Sequence, residues 1–215
     1  MADIIPPTGK IVEGLSIINC GFVAMYVYEA GSDLIAFDTG IAAKSALKGF
    51  TTLGLDPGRV THVFFTHSDR DHVGGLKAFP NAKLFLSRDE VAMLDRTTPR
   101  FLSFIYNKPF APSYETLADG QKVSVGTTSV ECISTPGHTA GSMSFLVSGA
   151  HLIVGDILNI RQGKAVMDRH AINIDNGQRH QSIRKVALLS GIRTLCPMHS
   201  GYTLDFSAAM KDWRS

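Results

Sequence analysis

Residues 67–72 concentrate side chains that bind metal ions. Two imidazoles and two carboxylates lie within this run of six, at His67, Asp69, Asp71 and His72. Imidazole nitrogen and carboxylate oxygen are ligands that divalent transition metals accept in proteins. The run directly follows the apolar, β-branched segment 60–65, which reads as a strand. A solvated polar loop would not explain this density, so we predict a metal site at the end of a strand.

Three more metal-competent residues repeat the pattern of apolar strand, turn and ligand: His138, Asp156 and His199. A single residue of this kind at a strand end is more often structural. Strand ends at one edge of a layered fold converge in space, however. We therefore expect the four loops to gather all seven side chains in one cleft.

The elements that must position these loops are short strands with interspersed helices. Apolar, β-rich runs predict strands at 11–19, 22–29, 33–37, 60–65, 83–87, 122–125, 129–134, 142–147, 151–154 and 192–196. Helical spacing predicts helices at 42–53, 72–79, 88–94, 178–189 and 206–213. No linker of Ser, Gly or Pro divides the chain, so residues 1–215 are expected to form one domain of sheets covered by helices.

Two irregular segments, 97–119 and 159–176, are predicted to be loops. The first contains several prolines and five aromatic residues: Phe101, Phe104, Tyr106, Phe110 and Tyr114. Long irregular segments in compact domains often have a function. Either this segment covers a substrate, or its rings insert into the core, since aromatic side chains serve both purposes.

Composition excludes several classes of partner. The formal charge of +2 is too small and too scattered for nucleic acid or an anionic membrane. No apolar run approaches the ~18 residues of a membrane span, and the amino terminus has no signal pattern, so we predict a cytoplasmic protein. The odd set of Cys20, Cys132 and Cys196 fits reduced, buried thiols, and Cys196 is interpreted as a core residue near His199.

On these residues the chain resembles the metallo-β-lactamase superfamily over nearly its whole length. The family's loop His-x-His-x-Asp-His is matched at His67, Asp71 and His72. The family's later metal residues correspond to His138, Asp156 and His199. Residues 38–40, Asp-Thr-Gly, resemble the family's early Asp-x-Gly turn, which supports the ligand loops from below.

The resemblance implies a four-layer αβ/βα sandwich, with two mixed β-sheets face to face, helices outside and the metal site at one edge. It assigns His67, residue 69 and His138 to site one. Site two would consist of Asp71, His72 and His199, and Asp156 would bridge the two metals. Two cations about 3.5–4 Å apart can share a hydroxide that attacks a carbonyl or phosphoryl centre. Asp71 would orient this nucleophile and accept its proton.

The chain departs from the family at position 69, where Asp69 replaces His. Three outcomes are open: Asp69 ligates through oxygen, it is too short and one metal remains, or site one is lost. We favour ligation, because a carboxylate in this loop has few partners as good as a dication. The flavodiiron branch carries Glu here and holds iron, so iron or manganese is possible beside zinc.

These inferences predict a metal-dependent hydrolase with two divalent ions, most simply zinc. Its substrate would be a small ester, thioester or lactone, with β-lactams as a side activity. His170 and Tyr202 are candidate substrate contacts, although Tyr202 could equally be a packed tyrosine. The alternatives are a di-iron redox protein of the flavodiiron type and a non-catalytic binding protein on the same fold. Neither a nucleic-acid nor a membrane partner is expected.

Overall fold

The computed structural model describes residues 4–100, 105–168 and 170–214. Its strands are β1 (Gly9–Val12), β2 (Leu15–Asn19), β3 (Ala24–Ala30), β4 (Asp33–Phe37), β5 (Val60–Phe64), β6 (Lys83–Ser87), β7 (Glu115–Leu117), β8 (Lys122–Val125), β9 (Thr128–Ser134), β10 (Met143–Val147), β11 (His151–Gly155), β12 (Asn159–Arg161), β13 (Lys164–Val166) and β14 (Thr194–Pro197). The helices are α1 (Ala43–Leu53), α2 (Arg70–Val73), α3 (Arg88–Leu94), α4 (Asn176–Ala187) and α5 (Phe206–Ala209). Short 3₁₀ turns add Pro57–Arg59, Leu76–Ala78, His170–Ile172 and Lys211–Trp213.

The strands form two mixed sheets and one small hairpin. The first sheet has the order β1-β2-β3-β4-β5-β6-β7, antiparallel up to β4 and parallel from there. The second has the order β14-β11-β10-β9-β8, antiparallel except for the parallel pair β11–β14. Strands β12 and β13 pair only with each other. The ligand loops of both sheets therefore follow the carboxyl ends of β5, β9, β11 and β14.

The main core lies between the two sheets. Phe37 and Phe64 of the first sheet meet Phe145 of the second, with ring centroids 5.3–5.7 Å apart. Tyr26 on β3 also donates its hydroxyl hydrogen to the carbonyl of Pro197 on β14, at 2.7 Å. β10 and β11 are buried along their whole length, and all of their residues except Ser144 and His151 are apolar.

Helices cover the outer faces of both sheets. On the second sheet, Leu152 and Val154 pack with Ile183 and Val186 of α4 in a separate apolar cluster. On the first sheet, α1 packs so closely on β2 that a Cβ at Gly49 would lie 2.1 Å from Ile18 Cγ2. The layers are thus helix, sheet, sheet, helix, which confirms the expected αβ/βα sandwich. No helix in the described part of the chain is both long and apolar enough to cross a bilayer.

Several predicted element bounds were wrong. The helix expected at 72–79 is shorter: α2 ends at Val73, and a 3₁₀ turn follows it. The strand expected at 11–19 is interrupted at Gly14, where φ is 78°. The loop expected at 159–176 contains the β12–β13 hairpin, and the loop at 97–119 contains β7.

Candidate metal centre

The structure brings all seven predicted ligand residues together at one edge of the two sheets. Their nitrogen and oxygen atoms form three groups, in each of which the atoms lie within 4.8 Å of one another. The first group is His67, Asp69 and His138; the second is His67, His72 and Asp156; the third is Asp71, His72 and His199. His67 and His72 belong to two groups each, so the groups form one continuous cluster.

Three buried atoms in this cluster have no hydrogen-bond partner among the described residues: His67 Nε2, His72 Nε2 and Asp156 Oδ1. A buried polar atom without a partner costs free energy, and such atoms are rare in folded proteins. Lone pairs of two imidazoles and one carboxylate that converge in this way are the donor set of a divalent transition metal. The residues present therefore fit a metal ion.

The ligand loop is fixed from behind by Asp38. Its Oδ2 accepts hydrogen bonds from His72 Nδ1 at 2.7 Å and from Thr66 Oγ1 at 2.8 Å. Because the Thr66 hydroxyl donates to Asp38, it accepts from His67 Nδ1, 2.9 Å away. In both imidazoles Nδ1 is therefore engaged by these partners, and Nε2 is the nitrogen atom turned towards the cluster.

The other two imidazoles are oriented in the same way by different partners. His138 Nδ1 lies 2.8 Å from Asn173 Oδ1, and Asn173 Nδ2 donates to Asn176 Oδ1, which fixes the orientation of the amide. His199 Nδ1 donates to the carbonyl of Phe22 at 2.7 Å. All four histidines therefore present Nε2 to the cluster.

Negative charge accumulates at the centre. Burial opposes ionisation of Asp156, but His199 and His72 outweigh it and hold its pKa well below the usual range. The pKa of Asp71 is likewise lowered despite burial, by hydrogen bonds with His199 and His72. Conversely, although burial lowers the pKa of His199, Asp156 raises it to about 9. The carboxylates are therefore ionised and attract cations.

Asp69 faces the aromatic loop as well as the cluster. Arg100 donates to both of its oxygens, with Nε 2.7 Å from Oδ1 and Nη2 2.7 Å from Oδ2. Asn107 Nδ2 also donates to Oδ1, at 2.9 Å. Arg100 and Asn107 were not predicted as site residues, and no local motif marks them.

Glu90 on α3 was also missed. It is fully buried, and Oε1 accepts from the Ser68 amide and hydroxyl at 2.8 and 2.6 Å. Its Oε2 accepts from the Thr139 hydroxyl at 2.6 Å and from the Gly141 amide at 3.2 Å. Glu90 therefore ties the first ligand loop to the loop of His138.

Arg179 on α4 supports the Asp156 loop in a similar way. The side chain is only 1% exposed, and it donates to three backbone carbonyls, those of Asp156, Ile157 and Asp168. A buried guanidinium is found where its hydrogens have fixed acceptors. The helical pattern of 178–189 gave no signal for this role.

The other residues that the sequence singles out lie in or against the core, or outside the described residues. Tyr202 is half-buried and packs against the main core, as do Phe110 and Tyr114 of the 97–119 loop. Phe101 and Phe104 lie outside the described residues, and so does the side chain of His170. All three cysteines are buried free thiols, and Cys196 on β14 is a core residue as predicted.

A cavity of about 1260 Å³ opens beside the ligand loop. Ser68 and Asn107, which contact Glu90 and Asp69, line one part of it. Basic and aromatic side chains line much of the rest: Arg70, Lys77, Lys108, Tyr106, Phe110 and Tyr114. The cavity is large enough for a small molecule, and it reaches the ligand loop at Ser68 and Arg70, although none of the seven ligand residues lines it.

The chain belongs to the metallo-β-lactamase superfamily, since the model of that family matches residues 18–215. Among solved structures, the fold is similar to that of a B3 metallo-β-lactamase described as the first with an active-site glutamic acid. The TM-score is 0.75 at 18% sequence identity, covering 98% of this chain and 87% of that one. The predicted family and fold are both confirmed.

Two curated relatives come from Bacillus subtilis (strain 168). The uncharacterized protein YobT is 29% identical over 168 residues, 69% of this chain and 65% of YobT. The probable polyketide biosynthesis zinc-dependent hydrolase PksB is 32% identical over 109 residues, 49% of this chain and 42% of PksB. The matched region thus spans about two fifths to two thirds of these relatives' length.

Proposed function

We propose that this protein is a metal-dependent hydrolase of a small molecule. The convergence of seven metal-competent side chains, with three buried atoms left unpartnered, carries the proposal. A divalent cation held there would polarise a substrate oxygen and lower the pKa of a water molecule. Zinc suits the four imidazoles best, and the name of PksB, a zinc-dependent hydrolase, supports this choice.

Asp71 is the residue we assign to proton handling. It is the ligand-loop carboxylate with the most exposed side chain, at 21%, whereas Asp156 is only 7% exposed. Its Oδ2 lies 3.3 Å from His199 Nε2, which leaves Oδ1 able to accept a hydrogen bond from a water molecule. Asp71 would orient that water for attack and take up its proton.

The substrate class we propose is an ester, thioester or lactone, with β-lactams as a side activity. All of these react at an electrophilic carbonyl carbon, and all generate an oxyanion that a cation stabilises. The adjoining cavity has room for a compound of this kind. The cytoplasmic location of the protein stays a prediction.

The di-iron redox alternative depends on a carboxylate ligand at position 69. It is less well supported, because both oxygens of Asp69 already accept hydrogen bonds from Arg100. The hydrolase proposal does not depend on Asp69.

The test is hydrolysis of an ester, thioester and lactone panel before and after removal of metal with a chelator. We expect activity to be lost on chelation and restored by zinc. The substitution His199→Ala should lower the rate by about 100-fold or more, since even residues behind a ligand cost 10–100-fold. His180→Ala, an exposed histidine on α4, is the matched control and should keep full activity. Hydrolysis that survives thorough removal of metal would overturn the proposal.

A further inference from the structure

We propose that the Arg100 guanidinium takes the place of a second metal ion, so that the protein holds one divalent cation rather than two. The inference rests on the proposed metal centre and concerns its composition. Arg100 would neutralise the charge of Asp69 and donate a hydrogen bond to Nε2 of His138. The single ion would then lie among Asp71, His72, Asp156 and His199.

The hydrogen bonds of Asp69 are the first argument. Arg100 binds its carboxylate through two parallel N–H···O contacts of 2.7 Å each, and Asn107 adds a third. Bidentate guanidinium–carboxylate pairs of this geometry are among the strongest hydrogen-bonded contacts in proteins. A cation at Asp69 would have to compete with a positive charge that is already in place.

The lone pair of His138 is the second argument. Its Nδ1 hydrogen is directed to Asn173, so Nε2 has no hydrogen and one lone pair to offer. Arg100 Nη2 lies 3.1 Å from that Nε2. The same nitrogen atom therefore donates to Asp69 Oδ2 and to His138 Nε2, which are two of the three ligand atoms of site one.

The guanidinium is also held in position from outside the cluster. Arg100 Nη1 donates to the carbonyl of Ile172 at 2.9 Å, and its side chain is only 10% exposed. Withdrawing it would break an ion pair that is largely buried and leave Asp69 without its neutralising charge, which is costly. Lysine could not replace it, because an ammonium lacks the planar fork.

The opposite half of the cluster contrasts with this. The unpartnered atoms of His72 and Asp156 lie there, with His67 Nε2 between the two halves. Oxygen atoms of Asp71 and Asp156 lie 3.0–3.5 Å from the Nε2 atoms of His72 and His199, so these four side chains converge. Two of the three unpartnered atoms therefore belong to the proposed single-ion half, while the third, His67 Nε2, faces Asp69 Oδ2 at 3.5 Å.

The test counts ions per chain. Metal-free protein is mixed with excess zinc, passed through a desalting column and measured by elemental analysis. Cobalt titration followed by visible absorbance gives an independent endpoint. We expect one ion for the natural chain and two for Arg100→Met, which removes the charge but keeps much of the volume. The matched control is Arg88→Met, an exposed arginine on α3, which should stay at one ion.

A second variant keeps the inference falsifiable if Arg100→Met does not fold. Asp69→His restores the family's loop and removes the carboxylate that binds the guanidinium, so it should bind two ions. Two ions in the natural chain would overturn the inference and leave the proposed hydrolase intact. One ion in a folded Arg100→Met variant would also overturn it. No ion in any variant would instead overturn the metal centre itself.

Discussion

The imidazole nitrogen atoms of the candidate metal centre are oriented by hydrogen bonds on the far side of each ring. Each of the four histidines uses Nδ1 for a partner outside the cluster. Asp38 orients two of the rings: it binds His72 directly, and it binds the Thr66 hydroxyl, which contacts His67. Such partners set the tautomer and the direction of the ligand nitrogen. The affinity of the centre for metal therefore depends on residues that never touch the ion.

At the residue scale, Glu90→Gln should destabilise the fold by about 2–3 kcal/mol. The buried carboxylate accepts four hydrogen bonds, two at each oxygen. In glutamine an NH₂ group replaces one of these oxygens and would face N–H or O–H groups that then lack an acceptor. Urea unfolding measures the change. Glu131→Gln, at a surface pair with Lys122, should stay within about 0.5 kcal/mol. Equal losses in both variants would show that the Glu90 contacts contribute little.

Individual members of the cluster could be predicted where local pattern and chemistry agree. His67, Asp71 and His72 form one motif, and each later ligand follows its own strand. Arg100, Glu90 and Asn173 could not be found in this way. Their partners lie far away in the chain, and nothing in the residues beside them indicates which carboxylate or imidazole the fold brings near.

At the element scale, the first ligand loop packs directly against the turn after β4. The Thr39 amide donates to the carbonyl of His72 at 2.7 Å, and the Gly75 amide donates to that of Gly40 at 2.9 Å. A Cβ at Gly75 would lie 2.0 Å from the carbonyl oxygen of Thr39. Gly74 and Gly75 therefore permit a close approach of the two backbones that a Cβ would block.

Gly75→Ala should accordingly cost about 1–3 kcal/mol and weaken metal binding, because His72 must move with the displaced backbone. Urea unfolding and competition with a chelating dye measure the two effects. Gly9→Ala on β1 is the control, since its Cβ would meet nothing closer than 3.9 Å. Unchanged metal affinity in the Gly75 variant would mean that the turn does not position His72.

Elements were predicted well where the periodic pattern is strong and its ends are marked. The bounds of β4, β6, β8 and α3 agree with those expected. The β12–β13 hairpin was missed, because its strands have three residues each and its turn places Gln162 at a φ of 51°. Tight hairpin turns are usually recognised in a sequence by Asn-Gly or Asp-Gly. The turn between β12 and β13 has Gln-Gly instead, which is not a typical turn pair.

At the scale of the whole molecule, the centre joins the two sheets. One ligand loop follows β5 of the first sheet, while His138, Asp156 and His199 follow strands of the second. Any ion bound here cross-links the two layers. It binds only the folded chain, and so it stabilises that state by mass action.

Removal of metal should therefore lower the midpoint of thermal unfolding, Tm. With free zinc about 1,000-fold above its dissociation constant, the stabilisation is about 4 kcal/mol. For a chain of this size that corresponds to a rise in Tm of roughly 8–16 °C. Calorimetry with and without zinc measures it, and His199→Ala should show a much smaller rise. If zinc leaves the Tm of the natural chain unchanged, the result would contradict a cross-link between the sheets.

The parallel pairing of β11 with β14 also affects when the protein can acquire its ion. His67 and His199 are separated by more than half of the 215 residues, and β14 joins its sheet only after the crossover that includes α4. Contacts so distant in sequence slow folding, since the entropy of closing the chain must be overcome before they form. An unfolded chain does not offer both imidazoles to one ion. We therefore expect a metal ion to bind only after folding has brought the two imidazoles together, so that the ions available at that moment decide which one is bound.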